Sequence, residues 1–173
     1  MNSHPHSPAC ASIRRGFSLA EVAVSNLLVG VLLVAALKSS GSTLLTQRMI
    51  ADMSRGAWLV DALVAEIQLL TYMEPGLSSS SIGLESGESG GSRSDYDDFD
   101  DYNGWSDSPP QNKDGTTIAN LSGWQRKVSV EWVNLNDVAA VSATESGVKR
   151  ATVTVSLNGD ILATRVIIKV KGF

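Results

Sequence analysis

The chain has 173 residues, with 14 basic and 18 acidic side chains and a net charge of -4. That length suits about one domain, and the acidic balance argues against a general nucleic-acid binder, which needs a basic patch to neutralise phosphates. The single cysteine, Cys10, and both histidines, His4 and His6, fall in the first ten residues, so the rest of the sequence offers no disulfide, no Cys/His zinc site, no cysteine nucleophile and no Ser-His-Asp triad.

Residues 1–16 are polar, carry no acid and end in Arg14-Arg15-Gly16. Residues 17–37 form a run of 21, apolar except for Ser18, Glu21, Ser25 and Asn26, and Lys38 closes it. About 20 apolar residues span a bilayer as a helix, so residues 17–38 are read as one transmembrane segment. The two arginines before it, with no basic cluster after it, favour a cytoplasmic amino terminus. Three other readings compete. A secretory signal has an apolar stretch of about 7–15 residues, and this run is longer. A plain anchor needs no acid near its start. A buried core helix seldom follows a basic polar leader so closely.

Glu21 decides among them. A carboxylate at the centre of a membrane helix costs roughly 2.5–3.5 kcal/mol on insertion scales, and such residues are usually paired and functional. No basic side chain within the run neutralises Glu21. Its partner must come from another chain or from a newly made amino terminus.

The segment Gly16-Phe17-Ser18-Leu19-Ala20-Glu21-Val22 resembles the processing motif of type IV prepilins and type II secretion pseudopilins. The resemblance implies cleavage between Gly16 and Phe17 by a membrane prepilin peptidase, which removes a leader of residues 1–16. It implies N-methylation of Phe17, and Glu21 as the assembly residue that meets the charged amino terminus of a neighbouring subunit. Ala20 departs from the bulkier aliphatic residue common there. Partners implied are other pilin or pseudopilin subunits, the inner-membrane assembly platform and membrane lipid. The implied place is the bacterial inner membrane, with the head outside the cytoplasm, and then the filament.

After Ser39-Ser40-Gly41-Ser42-Thr43, a stretch of weak helix formers, a kink or local melting is expected, as near Gly30. Leu45, Met49, Met53, Val60, Leu63, Val64, Ile67 and Leu70 then recur at three- and four-residue steps. Residues 39–74 are therefore read as an amphipathic helix with one face for a core, ended by Pro75-Gly76. Residues 75–123 read as loop. Within them, residues 76–94 hold 13 Gly or Ser out of 19, a flexible connection.

Six aspartates follow in the 13 residues from Asp95 to Asp107. Between Glu74 and Asp107 there are nine acids against Arg93 alone, a local charge of -8. Carboxylates at this density repel one another, and a hard cation such as calcium, with six to eight oxygen ligands, relieves that. The ligand candidates are Asp97, Asp98, Asp100, Asp101 and Asn103. The order of acids is not that of an EF-hand loop. The competing reading is a solvated acidic loop whose Tyr96, Phe99, Tyr102 and Trp105 pack onto the head. The run Asp97-Asp98-Phe99-Asp100-Asp101-Tyr102-Asn103-Gly104-Trp105 also resembles a segment of minor prepilins related to the mannose-sensitive haemagglutinin pilus, D type.

The last third alternates. Val128 and Val130 are spaced by Ser129; Ala151, Val153, Val155 and Leu157 alternate with Arg150, Thr152, Thr154 and Ser156. Asn158-Gly159 is a two-residue hairpin turn. Leu162, Thr164, Val166, Ile168 and Val170 then alternate with Arg165, Ile167, Lys169 and Lys171. Residues 124–173 are read as an antiparallel meander with one face on the helix.

The expected fold is α+β, a long amino-terminal helix packed on a small antiparallel sheet. The expected function is a structural minor pilin or pseudopilin rather than an enzyme, in an adhesion, secretion or DNA-uptake filament. The net charge of -6 after cleavage (12 basic, 18 acidic) argues against direct contact with nucleic acid. The alternative is a singly anchored binding module outside the cytoplasm, with an acidic loop for calcium or a ligand.

Overall fold

A computed structural model describes residues 16–76, 81–85, 87–88 and 92–172. The expected leader, apart from Gly16, lies outside the described residues, as do residues 77–80, 86 and 89–91 of the Gly/Ser connection.

One helix, α1, runs from Leu19 to Gln68. Ser18 caps it: the Ala20 N–H donates to Ser18 Oγ at 3.3 Å, and the Val22 N–H to the Ser18 carbonyl at 3.1 Å. No local melting is found at Gly30 or Gly41, and both lie within continuous helix. The hydroxyls of Ser40, Thr43 and Thr46 donate to carbonyls four residues back, each at 3.0 Å. These polar side chains are thus satisfied by their own helix instead of opening it.

The chain divides into two compact units between Gln47 and Arg48. In the first, every described residue is exposed, large apolar side chains such as Leu27, Leu32 and Leu37 included.

The second unit is the head. Here α1 buries Leu59, Val60, Leu63 and Ile67 on one face, at the steps of a helical stripe. Each fully buried aliphatic side chain contributes about 1.5–3 kcal/mol. Met49 and Met53, expected on that face, are exposed. The buried face begins at Gly56, against the sheet. A Cβ there would lie 3.1 Å from Leu162 Cβ and 3.6 Å from the Trp124 ring. Gly56→Leu should therefore force helix and sheet apart. We expect a loss of roughly 1–3 kcal/mol, typical of overpacking, seen as a Tm several degrees lower. An unchanged Tm would show that the contact yields freely.

The helix ends at Gln68, six residues before the expected end at Glu74. The Leu70 N–H bonds the Ile67 carbonyl at 3.2 Å, and Lys169 Nζ donates to the Gln68 carbonyl at 3.3 Å. Thr71 is instead paired in extended form with Asp98, and the Phe99 N–H donates to its carbonyl at 3.0 Å. The acidic segment thus gives the Thr71 carbonyl a donor that Pro75, which has no N–H, could not supply in a longer helix.

The sheet has five antiparallel strands: β1 (Ser106–Asp107), β2 (Trp124–Asn134), β3 (Asp137–Val141), β4 (Val148–Leu157) and β5 (Asp160–Val170). Its order is β1-β2-β4-β5, and β3 pairs with the far end of β2. Val128, Val130, Ala151, Val153 and Val155 face α1 and form the core with Trp124, Leu121 and the aromatic residues of the acidic run. The expected β4–β5 hairpin is present. Asn158 and Gly159 both have positive φ, 51° and 97°, the pair that a type I′ turn requires.

On β5 the expected inner set is reversed. Ile167 is buried, whereas Val166 and Ile168 are exposed. Residues paired across antiparallel strands share a face. Ala151 pairs with Ile167 and Val153 with Arg165, so the buried face of β4 draws Ile167 inward, while Arg165 on the same face stays exposed. Arg165 Nε reaches Asp61 on α1 at 2.9 Å. A register shift at Val155/Ser156 then changes the phase toward the turn.

Candidate functional site

Two regions carry the candidate residues, one in each unit. In the first, Gly16 and Phe17 precede the cap Ser18, and Phe17 is 83 % exposed. Glu21 lies in the first turn of α1. A carboxylate there is favoured by the partial positive charge of the helix amino terminus, and Ser18-x-x-Glu21 has the spacing of a capping box. α1 is long and apolar enough to cross a membrane, with a mean hydropathy of 2.2 over its most apolar stretch. Its exposed side chains suit a membrane anchor.

The second region is the acidic run of the head. Its aromatic residues turn inward. Phe99 and Tyr102 are fully buried, and Tyr96 stands edge-on to Tyr102 with ring centres 5.0 Å apart. Trp105 lies against Arg93, whose guanidinium is 4.4 Å from the ring centre. Arg93 itself is buried and donates to Glu66 Oε1 and to the Gln111 carbonyl, both at 3.1 Å. Arg126 and Asp107 form a second buried pair beside it. The described part of the Gly/Ser connection is also anchored, since Ile82 packs on the core.

With the aromatics inward, three aspartates gather on the other side. The turn is tied by its own carboxylates. Asp98 Oδ1 accepts from the Asp100 and Asp101 N–H groups at 2.7 and 3.2 Å. Asp101 Oδ2 accepts from the Asp97 and Asp98 N–H groups, each at 2.9 Å. Facing them are three glutamates of the preceding segment. The carboxylates form three overlapping groups: Glu74, Glu85 and Asp98; Glu74, Glu88 and Asp97; Glu85, Glu88 and Asp101. Within each group the ligand atoms lie within 4.8 Å of one another, so each group is able to hold a metal ion.

Three of the five expected ligands, Asp97, Asp98 and Asp101, are thus brought together. Asp100 and Asn103 are not. Asp100 Oδ1 accepts from Lys149 Nζ in a fully buried ion pair, and its Oδ2 accepts from the Gly83 N–H at 3.3 Å. Lys149 also donates to the Tyr72 carbonyl at 2.6 Å. Asn103 Oδ1 accepts from the Val130 N–H at 3.0 Å and ties the turn to β2. Glu74, Glu85 and Glu88 were missed by the expected set. Their signal is faint: three acids, with no base, scattered from 74 to 88 just before the aspartates.

The electrostatics follow from this crowding. Burial, with Asp100 next, pushes the Asp98 carboxyl up to about 8. Burial and the charges of Asp100 and Asp101 push Glu85 up to about 7. Glu74 and Glu88 are raised too, by burial and by the facing Asp97 and Asp101. Three buried carboxylate oxygens, Glu74 Oε2, Glu85 Oε2 and Asp101 Oδ1, have no hydrogen-bond partner. An all-oxygen, all-carboxylate set of this kind suits a hard cation rather than a thiolate- or imidazole-seeking metal. Away from it the shift reverses: Glu66 and Glu145 are lowered by partners that include Arg93 and Tyr72.

No protein-family model matches the chain, and no curated protein or solved structure matches it.

Proposed function

We propose that the chain is a structural subunit of a type IV pilus-like filament, a minor pilin or pseudopilin. It is made as a single-pass prepilin of the bacterial inner membrane, cut between Gly16 and Phe17 by prepilin peptidase, and N-methylated on Phe17. It then joins other pilin or pseudopilin subunits at the assembly platform, in an adhesion, secretion or DNA-uptake system. The observation that carries this reading is Glu21. It follows Gly16-Phe17 at the start of an apolar helix of filament-core length and has no basic side chain in that run to neutralise it. Apolar packing of α1 supplies most of the assembly energy, and Glu21 supplies the register, because burial away from a neighbour's amino terminus leaves an unpaired charge.

The mass of the amino-terminal peptide, from protein recovered in native membranes or in sheared filaments, tests this. The expected peptide begins at methylated Phe17. A peptide that retains residues 1–16 overturns the reading.

The acidic centre supports a calcium site within the head, whose role is to hold the 74–88 segment against the 97–101 turn. It also favours a second reading of the whole chain: an anchored binding module with a calcium-dependent head that never polymerises. Retention of the leader would put that reading first.

A further inference from the structure

We propose that the acidic centre holds two divalent cations, bridged by Glu88. This rests on the reading of the centre as a cation site and goes beyond it in number and arrangement. Oxygens on opposite sides of one calcium ion are separated by about 4.8 Å, twice a bond of about 2.4 Å. Among the described residues, each group that meets this span stops at three carboxylates. One ion therefore reaches only half of the six.

The repulsion also has two centres. Glu74 faces Asp97, and Glu88 faces Asp101, with ligand oxygens within 4.8 Å of one another. Two carboxylates so close need a cation or a proton between them. The first pair belongs to the group of Glu74, Glu88 and Asp97, the second to the group of Glu85, Glu88 and Asp101. An ion in one group reaches only Glu88 of the other. Glu88 is common to both, and its Oε2 is oriented by the Glu85 N–H at 2.9 Å.

Each of these two groups holds a partnerless oxygen: Glu74 Oε2 belongs to a residue of the first, and Glu85 Oε2 and Asp101 Oδ1 to residues of the second. Asp101 is fully buried and its Oδ2 is already satisfied by two backbone donors, so its free Oδ1 is a ligand atom aimed into the centre. Asp98, the sixth carboxylate, belongs only to the third group, with Glu74 and Glu85; its Oδ1 holds two N–H groups, and Lys149, paired with Asp100, lies close enough to compete with a cation there. Five carboxylates with two divalent ions retain one net negative charge; with one ion they retain three.

Calcium titration of the full chain in detergent micelles, read as bound ions per chain by native mass spectrometry and equilibrium dialysis, tests the proposal. Two ions per chain are expected. Asp97 is exposed, so Asp97→Asn leaves the fold intact and should lower the number to one. Asp101→Asn keeps an oxygen for the Asp97 and Asp98 N–H groups and should also give one. A single ion in the unaltered protein overturns the two-ion arrangement and leaves the calcium reading standing. No bound calcium overturns both. Two ions retained in Asp97→Asn overturn the assignment of the groups.

Discussion

Glu21→Gln is expected to be cleaved and methylated as the unaltered chain is, yet to enter filaments about a hundredfold less well. The two roles open to Glu21 separate at this substitution. As the third residue after Ser18 it fits a capping box, and a glutamine serves that box as well as a glutamate does. As the partner of a neighbour's charged amino terminus, only the carboxylate serves. Methylation leaves that amine charged, so the attraction survives processing. Breaking a buried ion pair by removing one partner costs about 3–5 kcal/mol, because the other charge stays buried and unpaired. Even the lower figure corresponds to roughly a hundredfold in an equilibrium. Immunoblots of sheared filaments against the membrane fraction measure the ratio. Incorporation of Glu21→Gln at the normal level would assign Glu21 to its own helix and remove the assembly role.

The architecture was legible where one physical rule dominated. The long apolar run could only be a helix of membrane length, and Asn158-Gly159 could only be a tight hairpin. The alternation of Ala151, Val153 and Val155 is preserved on β4 because its neighbours lie on both sides. Legibility failed where partners decided. On β5, apolar and polar residues are mixed on both faces, so pairing with β4 rather than composition turned Ile167 inward. β3 is exposed at all five positions and carries no alternation to read. The helix end was misplaced because Thr71 is claimed by Asp98, 27 residues away. The candidate site shows the same division. Clustered aspartates left a cation site and a solvated acidic loop both open, and local density could not say that Asp100 is consumed by Lys149, or that three scattered glutamates arrive opposite.

Those arrivals set how the head responds to pH. Without divalent cations, in a chelator, the full chain in micelles should have a head whose Tm is highest near pH 5 and falls toward pH 8. The sign comes from linkage. Asp98, Glu85, Glu74 and Glu88 all titrate higher in the folded head than in the unfolded chain. The folded state therefore holds protons that the unfolded state releases above about pH 4. Their contribution is complete below that pH and is lost as pH climbs through the folded values, about 7 for Glu85 and about 8 for Asp98. Glu66 and Glu145 are lowered and act oppositely, so they erode stability only on the acid side. Calcium replaces the missing protons. At a hundred times its dissociation constant, a ligand of the folded state adds about 2.7 kcal/mol, on the order of 10 °C in Tm for a head of this size. That increment should be largest at pH 8 and small at pH 5, where protons already occupy the centre. Scanning calorimetry at both pH values, with and without calcium, reads all four numbers. A Tm that rises from pH 5 to pH 8 in chelator, or a calcium increment that is equal at the two, would mean that the six carboxylates are solvated in solution and that the acidic turn is held by its aromatic side chains alone.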